Sequence, residues 1–428
     1  MTTSAAALQS LWDSVSTEDA HRHAETLTEY INTNGLRTLL SERILDELLD
    51  KLKDKKQAHL RERAAIGLGA VASKVAGKNA PMPLGAEPWL VNAIPPLLDG
   101  YGDKNEAAKK AAEGAMGAIV PLFPPEAAAE LLEVLYNVIT SGTAKWQAKV
   151  GALKIISRLA DLAYEQVGDE LTQITPVLTQ GMHETKAEVS KQAIKTATKV
   201  CGVIDNNDIR PFIPDLVGCM DRPDTVPDCI KKLSSITFVA EVTGPALAVM
   251  VPLLSRALNE RSQTVQRQSV IIVDNLCKLV RDPHTAAMYL PSLLPSVERI
   301  EQGASFPEVR EHAKSAVQTL RAAFAEADKS KDDPHSTDPV AAQAADREHA
   351  LQCLAKAVQP HVPSGIVFSA LGDSYTRTGL EYVARLLVRL ADKRVVQAEP
   401  WNDVYVLPYL RRVCETPEGA QQATDAIR

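Results

Sequence analysis

Aromatic residues are scarce in this chain of 428 residues, at 4%, although 45% of the residues are hydrophobic. A core of that composition must be built from leucine, isoleucine, valine and alanine, which is typical of stacked helices. No apolar run approaches the ~20 residues that a membrane-spanning helix needs. The first residues also lack the basic and apolar regions of a secretory signal peptide. These absences predict a cytoplasmic protein without a membrane partner.

Cysteine is scarce as well, and its spacing indicates neither a metal site nor a disulfide framework. No C-x-x-C occurs, and the pair Cys219 and Cys229 has no histidine nearby at metal-ligand spacing. We therefore expect small, buried, hydrophobic thiols in a reducing compartment. The six cysteines are Cys201, Cys219, Cys229, Cys277, Cys353 and Cys414.

Catalytic and nucleotide-binding motifs are missing too. The glycine pairs in Gly67-Leu68-Gly69 and Gly100-Tyr101-Gly102-Asp103 lack the strand-to-helix context and the G-K-[ST] ending of a phosphate-binding loop, so turns and close helix packing are their expected roles. No H-E-x-x-H or G-x-S-x-G motif occurs, and the nine histidines are dispersed. We assign no catalytic, cofactor-binding or metal-binding residue, and expect neither an enzyme nor a small-molecule substrate.

What the sequence does contain is a repeat of about forty residues, from roughly residue 44 to residue 321. Each copy predicts a first helix that opens with an apolar residue and a proline, a polar turn, and a second helix rich in alanine and valine. Pro176, Pro214 and Pro252 lie 38 residues apart, close to the ~40–47 period of HEAT repeats. These prolines are expected in the first helical turn, whereas Pro295 should kink or restart its helix. In the fourth repeat, one helix face carries Val189, Ala193, Ala197 and Val200.

The repeat predicts an all-α fold, a HEAT-repeat α-solenoid followed by a small bundle of three to four helices. The expected organisation is N-terminal cap helices over residues 1–43, about seven repeats over 44–324, an exposed linker over 325–339 and the helical bundle over 340–428. In the fifth repeat, the second helix is expected from Pro227 to Val242.

Basic residues on the second helices form the one constellation that indicates a binding site. The net charge of -7 argues against indiscriminate nucleic-acid binding but leaves room for a local basic face. Because repeats stack in register, equivalent cations can line up against phosphate backbone or an acidic protein surface. The alternative is a solvated face balanced by residues such as Glu184 and Glu188. The predicted binding set comprises Lys145, Trp146, Lys149, Lys186, Lys191, Lys195, Lys199, Lys231, Lys232, Arg261 and Arg267.

Five strings are more particular than a generic HEAT repeat requires. They are residues 145–150 (KWQAKV), 238–243 (FVAEVT), 251–258 (VPLLSRAL), 274–280 (DNLCKLV) and 307–310 (PEVR). Together they resemble the N-terminal half of fungal-type translation elongation factor 3, most strongly over residues 140–321. Residues 397–412 are similar, more loosely, to part of that family's four-helix bundle.

The resemblance implies a ribosome-associated ATPase whose HEAT array grips the ribosome, with ribosomal RNA and ribosomal proteins as partners and other translation factors as further candidates. In that family the bundle joins the array to tandem ABC domains, where ATP with magnesium drives release of transfer RNA from the exit site. This sequence has no Walker A motif and no ABC signature. We therefore expect a fragment or a natural short form, monomeric, that holds no cofactor and does not hydrolyse ATP.

Other functions stay open at this stage. One is a regulatory scaffold related to the giant HEAT-repeat activator of the amino-acid-starvation kinase, which carries a similar stretch without ABC domains. Another is an mRNA-export or ribosome-associated relative of the same ABC family. A transport receptor of the karyopherin type is compatible with the fold alone.

Overall fold

The computed structural model describes residues 3–34, 38–74, 87–123 and 125–330. Within these residues the regular structure is entirely helical, which confirms the predicted all-α class. Contacts group the chain into two compact units, and within the described part the boundary falls between Ala152 and Leu153. The predicted bundle, residues 340–428, and the linker beyond residue 330 lie outside the described residues.

Among the described residues, ten helices begin in the first unit, and the last of them continues across the boundary. They are α1 (Ser4–Trp12), α2 (Thr17–Asn34), α3 (Thr38–Ser41), α4 (Ile44–Leu52), α5 (Ala58–Lys74), α6 (Glu87–Leu90), α7 (Ile94–Gly100), α8 (Glu106–Ile119), α9 (Ala128–Thr140) and α10 (Trp146–Leu162). Short 3-10 turns occupy Val91–Ala93, Val120–Leu122 and Pro125–Ala127.

Small residues set the packing of the first unit. The second helices α5 and α8 lie against each other, and α2 packs on α5. A Cβ added to Gly69 of α5 would lie 3.2 Å from the Cα of Ala115 in α8, so only glycine lets these backbones approach so closely. Helix α8 begins where the Asn105 side chain accepts a hydrogen bond from the Ala108 N–H at 3.0 Å, which satisfies an otherwise unpaired donor.

The second unit repeats the same pairing of helices. It contains α11 (Tyr164–Asp169), α12 (Leu171–Met182), α13 (Ala187–Cys201), α14 (Ile213–Asp221), α15 (Val226–Leu233), α16 (Gly244–Leu258), α17 (Gln263–Leu279), α18 (Pro283–Tyr289), α19 (Leu294–Gly303) and α20 (Pro307–Ser330), with 3-10 turns at Arg210–Phe212, Pro223–Thr225 and Leu290–Ser292. The face of α13 predicted to be apolar is fully buried, at Val189, Ala193, Ala197 and Val200.

Helix α20 runs on to Ser330, into the segment predicted as a linker. Ala325, Glu326 and Ala327 favour helix strongly enough to extend it.

Two of the repeat prolines do not lie where the sequence predicts. Pro214 and Pro295 occupy the first turns of α14 and α19, as expected, and Pro295 restarts a helix after a 3-10 turn. Pro176 and Pro252 instead lie inside α12 and α16, because those helices begin earlier than the proline. Both prolines are exposed, and each removes one backbone hydrogen bond from its helix.

The second helix of the fifth repeat is also shorter than predicted. It ends at Leu233 rather than Val242, since the hydroxyl groups of Ser234 and Ser235 donate back to carbonyl oxygens three residues earlier, at 2.9 and 2.6 Å. Such local hydrogen bonds compete with helix continuation. The following loop is held by contacts to other elements, among them the hydrogen bond from the Val242 N–H to the Leu279 carbonyl of α17 at 3.1 Å.

Candidate functional site

Helix α13 carries three exposed lysines opposite its buried face. Lys191, Lys195 and Lys199 are spaced by four residues, so they lie on one side of the helix. The Lys199 ammonium pairs with the carboxylate of Asp161 on α10. Lys191 and Lys195 form no ion pair with any described residue.

Helix α10 lies beside α13 and adds two cations that the sequence reasoning missed. The Thr196 hydroxyl of α13 donates to the Leu153 carbonyl of α10 at 3.0 Å, and this contact is buried. Lys154 and Arg158 are exposed on α10. Their spacing of four residues was the signal that could have found them.

The ion pair between Asp161 and Lys199 shows that the two exposed faces point to the same side. Lys154, Arg158 and Asp161 share one face of α10, at i, i+4 and i+7. Lys195 lies one turn before Lys199 on α13. The faces that meet at this ion pair therefore present four further cations together, the α10–α13 cation cluster of Lys154, Arg158, Lys191 and Lys195.

Two carboxylates, those of Asp161 and Glu188, lie on the helices that carry this cluster. Asp161 is neutralised by Lys199, and Glu188 lies in the first turn of α13, where a carboxylate is favoured by the helix dipole. No member of the cluster forms an ion pair among the described residues. A chain with a net charge of -7 thus places a local excess of positive charge on two neighbouring helices.

The other predicted cations of the second unit divide into paired and unpaired residues. Lys232 forms an ion pair with Asp215 at 2.6 Å, and this hydrogen bond raises the pKa of Lys232. Arg267 binds Glu308 through its Nε at 2.9 Å, and that contact holds the pKa of the Glu308 carboxyl below its usual range. The remaining three are exposed without an ion pair in the described part of the chain, and they are Lys186, Lys231 and Arg261.

Two of the three predicted residues of the first unit, Lys145 and Lys149, make contacts within the chain. The Lys145 ammonium donates to the carbonyl oxygens of Asp99 and Gly102, at 3.3 and 3.4 Å, where the last carbonyls of α7 attract a cation. Lys149 is only 7% exposed and is engaged within the chain, so its prediction as a surface cation is wrong. It shares the buried face of α10 with Ala152 and Leu153. Trp146 is 36% exposed.

The glycine pairs considered as phosphate loops have packing roles. Gly67 and Gly69 lie inside α5, and a Cβ on Gly67 would lie 2.9 Å from the Leu48 side chain. Gly102 belongs to a turn that ends at Asp103, whose carboxylate is bound by Arg61. Neither pair presents backbone N–H groups at the start of a helix after a strand, as a phosphate-binding loop would.

An open groove of about 750 Å³ runs over α5 between α2 and α8. Its floor includes Ala65, Gly69 and Ala70, and its walls include His21 and Lys110. The described residues contain no group of three side chains suited to hold a metal ion. None of their helices is sufficiently long and apolar to cross a bilayer.

The fold and its exposed cations define a helical-repeat scaffold. Residues 20–197 match the family model described as "EF3 N-terminal HEAT repeat", and residues 225–331 match the model "Elongation factor 3/GNC1 HEAT repeat". The chain belongs to the elongation factor 3 HEAT-repeat family, and the predicted HEAT-repeat solenoid is confirmed.

Curated relatives agree with this assignment. The chain is 34% identical to elongation factor 3A of Saccharomyces cerevisiae over 402 residues, which is 93% of this chain and 36% of the relative. It is 40% identical to the mRNA export factor elf1 of Schizosaccharomyces pombe over 320 residues, 74% of this chain and 30% of the relative. The chain thus spans about a third of the length of these relatives.

Solved structures give a weaker likeness. The chain aligns to Kap121p in the structure titled "Crystal structure of Kap121p bound to Pho4p" with a TM-score of 0.38 and 12% identity, covering 99% of this chain and 48% of that chain. A TM-score this low supports no statement about function.

Proposed function

We propose that this chain is the ribosome-docking part of a cytoplasmic translation factor related to elongation factor 3. The α10–α13 cation cluster carries the proposal, because its four members lie within the residues that match the N-terminal HEAT model of that family. They are exposed and unpaired in the described part of the chain, so docking would break no internal ion pair.

Ribosomal RNA is the partner component whose chemistry fits this cluster. Cations one helical turn apart are separated by about 6 Å along the helix, so each can contact a different phosphate of a nucleic-acid strand. Lysine side chains contact phosphate as flexible point charges, without reading sequence. Displacement of counterions from the RNA would then supply much of the binding free energy.

Nucleotide chemistry is not assigned to these residues. The family resemblance implies ATP-driven release of transfer RNA by the complete family members, but this sequence has no Walker A motif. The role proposed for this chain is positioning: it holds a translation factor against the ribosome, and no ATP-dependent step is assigned to it.

A second candidate function follows from the similarity to the mRNA export factor elf1, at 40% identity. A scaffold of that kind would use the same cation cluster on messenger RNA or on an RNA-bound protein. Its preference would be for free RNA or its carrier proteins over assembled ribosomes.

Cosedimentation with purified ribosomes at low salt tests the proposal. Reversing the cluster in two double variants, Lys191→Glu with Lys195→Glu and Lys154→Glu with Arg158→Glu, should weaken binding by about tenfold or more each. The matched control is Lys55→Glu with Lys56→Glu, which changes the same charge on exposed residues of the first unit and should bind like the parent.

Circular dichroism of each variant should show unchanged helicity. Parent-like ribosome binding by both cluster variants would remove the cluster from the interface. Tighter binding to polyadenylated RNA than to ribosomes, lost in the same variants, would favour the mRNA-export function instead.

A further inference from the structure

Two buried thiols meet between α14 and α15. Cys219 is 5% exposed and Cys229 is 3% exposed, and neither is in a disulfide. Helices α14 and α15 pack against each other, and each thiol lies near enough to shift the pKa of the other. The Thr225 hydroxyl, in the turn that joins the helices, donates to the Cys219 sulfur at 3.5 Å.

The surroundings of the two thiols shift their pKa values in opposite directions. The hydrogen bond from Cys229, helped by the one from Thr225, lowers the pKa of Cys219 to about 7. The same contact, with burial, raises the pKa of Cys229. Cys219 is therefore the thiol of the pair that loses its proton more readily, as one thiol does in reactive dithiols.

The two other described cysteines have no such contact. Burial raises the pKa of Cys201 and of Cys277 to about 12 in each case. They behave as the inert hydrophobic thiols that the sequence predicts for all six cysteines. Only the pair between α14 and α15 departs from that expectation within the described residues.

We propose that Cys219 and Cys229 form a reversible redox modification site, at which hydrogen peroxide converts the two thiols into a disulfide between α14 and α15. The Cys219 thiolate attacks one peroxide oxygen, the O–O bond breaks, and a sulfenic acid forms as hydroxide leaves. The Cys229 sulfur then attacks the Cys219 sulfur, the S–O bond breaks, and the Cys229 proton leaves with the departing hydroxide as water. Each disulfide formed thus reduces one peroxide to two waters.

The link would hold in place a helix that carries part of the predicted binding set. Lys231 and Lys232 follow Cys229 directly on α15, and Lys232 already spans to α14 through its ion pair with Asp215. Oxidation would add a covalent connection between the same two helices. Reduction by a thiol such as glutathione would remove it.

Peptide mapping of the full chain after peroxide treatment tests this site. A parent carrying Cys353→Ser and Cys414→Ser excludes pairing with the cysteines outside the described residues. Cleavage before aspartate leaves Cys219 in residues 215–220 and Cys229 in the fragment that begins at Asp228. A disulfide therefore joins two separate peptides, lighter by two hydrogen atoms than their sum, and dithiothreitol should separate them again.

Single variants and internal controls decide the outcome. In Cys229→Ser, Cys219 should accumulate a sulfenic acid that a dimedone probe captures, at least about tenfold faster than Cys201 or Cys277 react. In Cys219→Ser, Cys229 should stay reduced. Failure of the folded parent to form the Cys219–Cys229 link, or equal oxidation of Cys201 and Cys277, would overturn the proposal. Because the mapping uses the parent, it remains decisive even if a single variant misfolds.

Discussion

Arg61 binds Asp103 through two hydrogen bonds, from Nε at 2.6 Å and from Nη2 at 2.9 Å. The arginine lies on α5 and the aspartate in the turn between α7 and α8, so the pair joins one repeat to the next. The Asp103 side chain is 7% exposed, and the Arg61 guanidinium holds the pKa of its carboxyl below the usual range. Paired, largely buried charges of this kind are strongly coupled to folding.

Asp103→Asn should lower the free energy of unfolding by about 2 kcal/mol, because it removes a charge-assisted bidentate contact and leaves Arg61 partly buried. Since the pKa of Asp103 is lower in the folded state than in the unfolded state, its contribution is full above the unfolded pKa. It is lost as the pH falls through the folded pKa, below about pH 4.

Urea titrations between pH 3 and pH 7 measure this effect. The difference in stability between the parent and Asp103→Asn should shrink toward pH 3. Asp50→Asn, at an exposed position, is the control and should change stability by less than about 0.5 kcal/mol. A constant difference across the pH range would contradict the role assigned to the Asp103 carboxylate.

The loop after α15 gives a second prediction. The Asp208 carboxylate accepts hydrogen bonds from the N–H groups of Val239 and Ala240, both at 2.8 Å. Asp208→Ala should therefore speed amide hydrogen exchange at these two positions by about tenfold or more. Asp205→Ala, which removes only an exposed ion pair to Arg210, should leave their exchange unchanged. Equal exchange in all three proteins would mean that Asp208 does not hold the loop.

Glycines in the second helices give a third prediction. Substitution by alanine should stabilise the protein at one of two sites and destabilise it at the other. A Cβ on Gly114 of α8 would meet no atom within 4 Å, so Gly114→Ala should raise the free energy of unfolding by about 0.5–1 kcal/mol. A Cβ on Gly151 would lie 2.7 Å from the Tyr101 ring, so Gly151→Ala should lower it by about 1–3 kcal/mol. Thermal or urea unfolding measures both, and a destabilising Gly114→Ala would mean that the groove beside α8 is tighter than described.

Lys199 is paired and Lys195 is not, and this difference predicts how salt affects ribosome binding by their variants. The prediction rests on the proposed RNA contact. Each phosphate contact contributes about 0.7–0.9 to the slope of log K against log salt. Lys195→Ala should reduce that slope by about this amount in ribosome-binding titrations. Lys199→Ala should reduce it less, because Lys199 is already neutralised by Asp161. Identical slopes for the two variants would count against phosphate contact through the cluster.

Periodicity predicted the helical repeats well because it reports which faces are buried. The stripe from Val189 to Val200 is buried as expected, and the family resemblance carried by strings such as residues 145–150 is confirmed by the family models. Helix ends were harder to predict. The end of α15 at Leu233 depends on the serine hydroxyls that follow it, and the loop beyond depends on Asp208, which lies about thirty residues earlier in the sequence.

The binding set was predictable only in part, because a sequence does not show how cations are partnered. The spacing of Lys191 and Lys195 identified exposed cations correctly. The same kind of spacing included Lys149, which is buried on α10, and missed Arg158. Contacts between repeats, such as the ion pair of Lys199 with Asp161, join residues that no local pattern connects.

That ion pair also has a consequence for how the surface can change over evolution. Lys199 and Asp161 constrain each other within one chain, so a substitution at either position favours a compensating substitution at the other. Lys191 and Lys195 have no such partner among the described residues. Selection on these two positions would therefore come from the molecule that they bind. Among relatives, positions 161 and 199 should covary. Positions 191 and 195 should instead change where the binding partner changes.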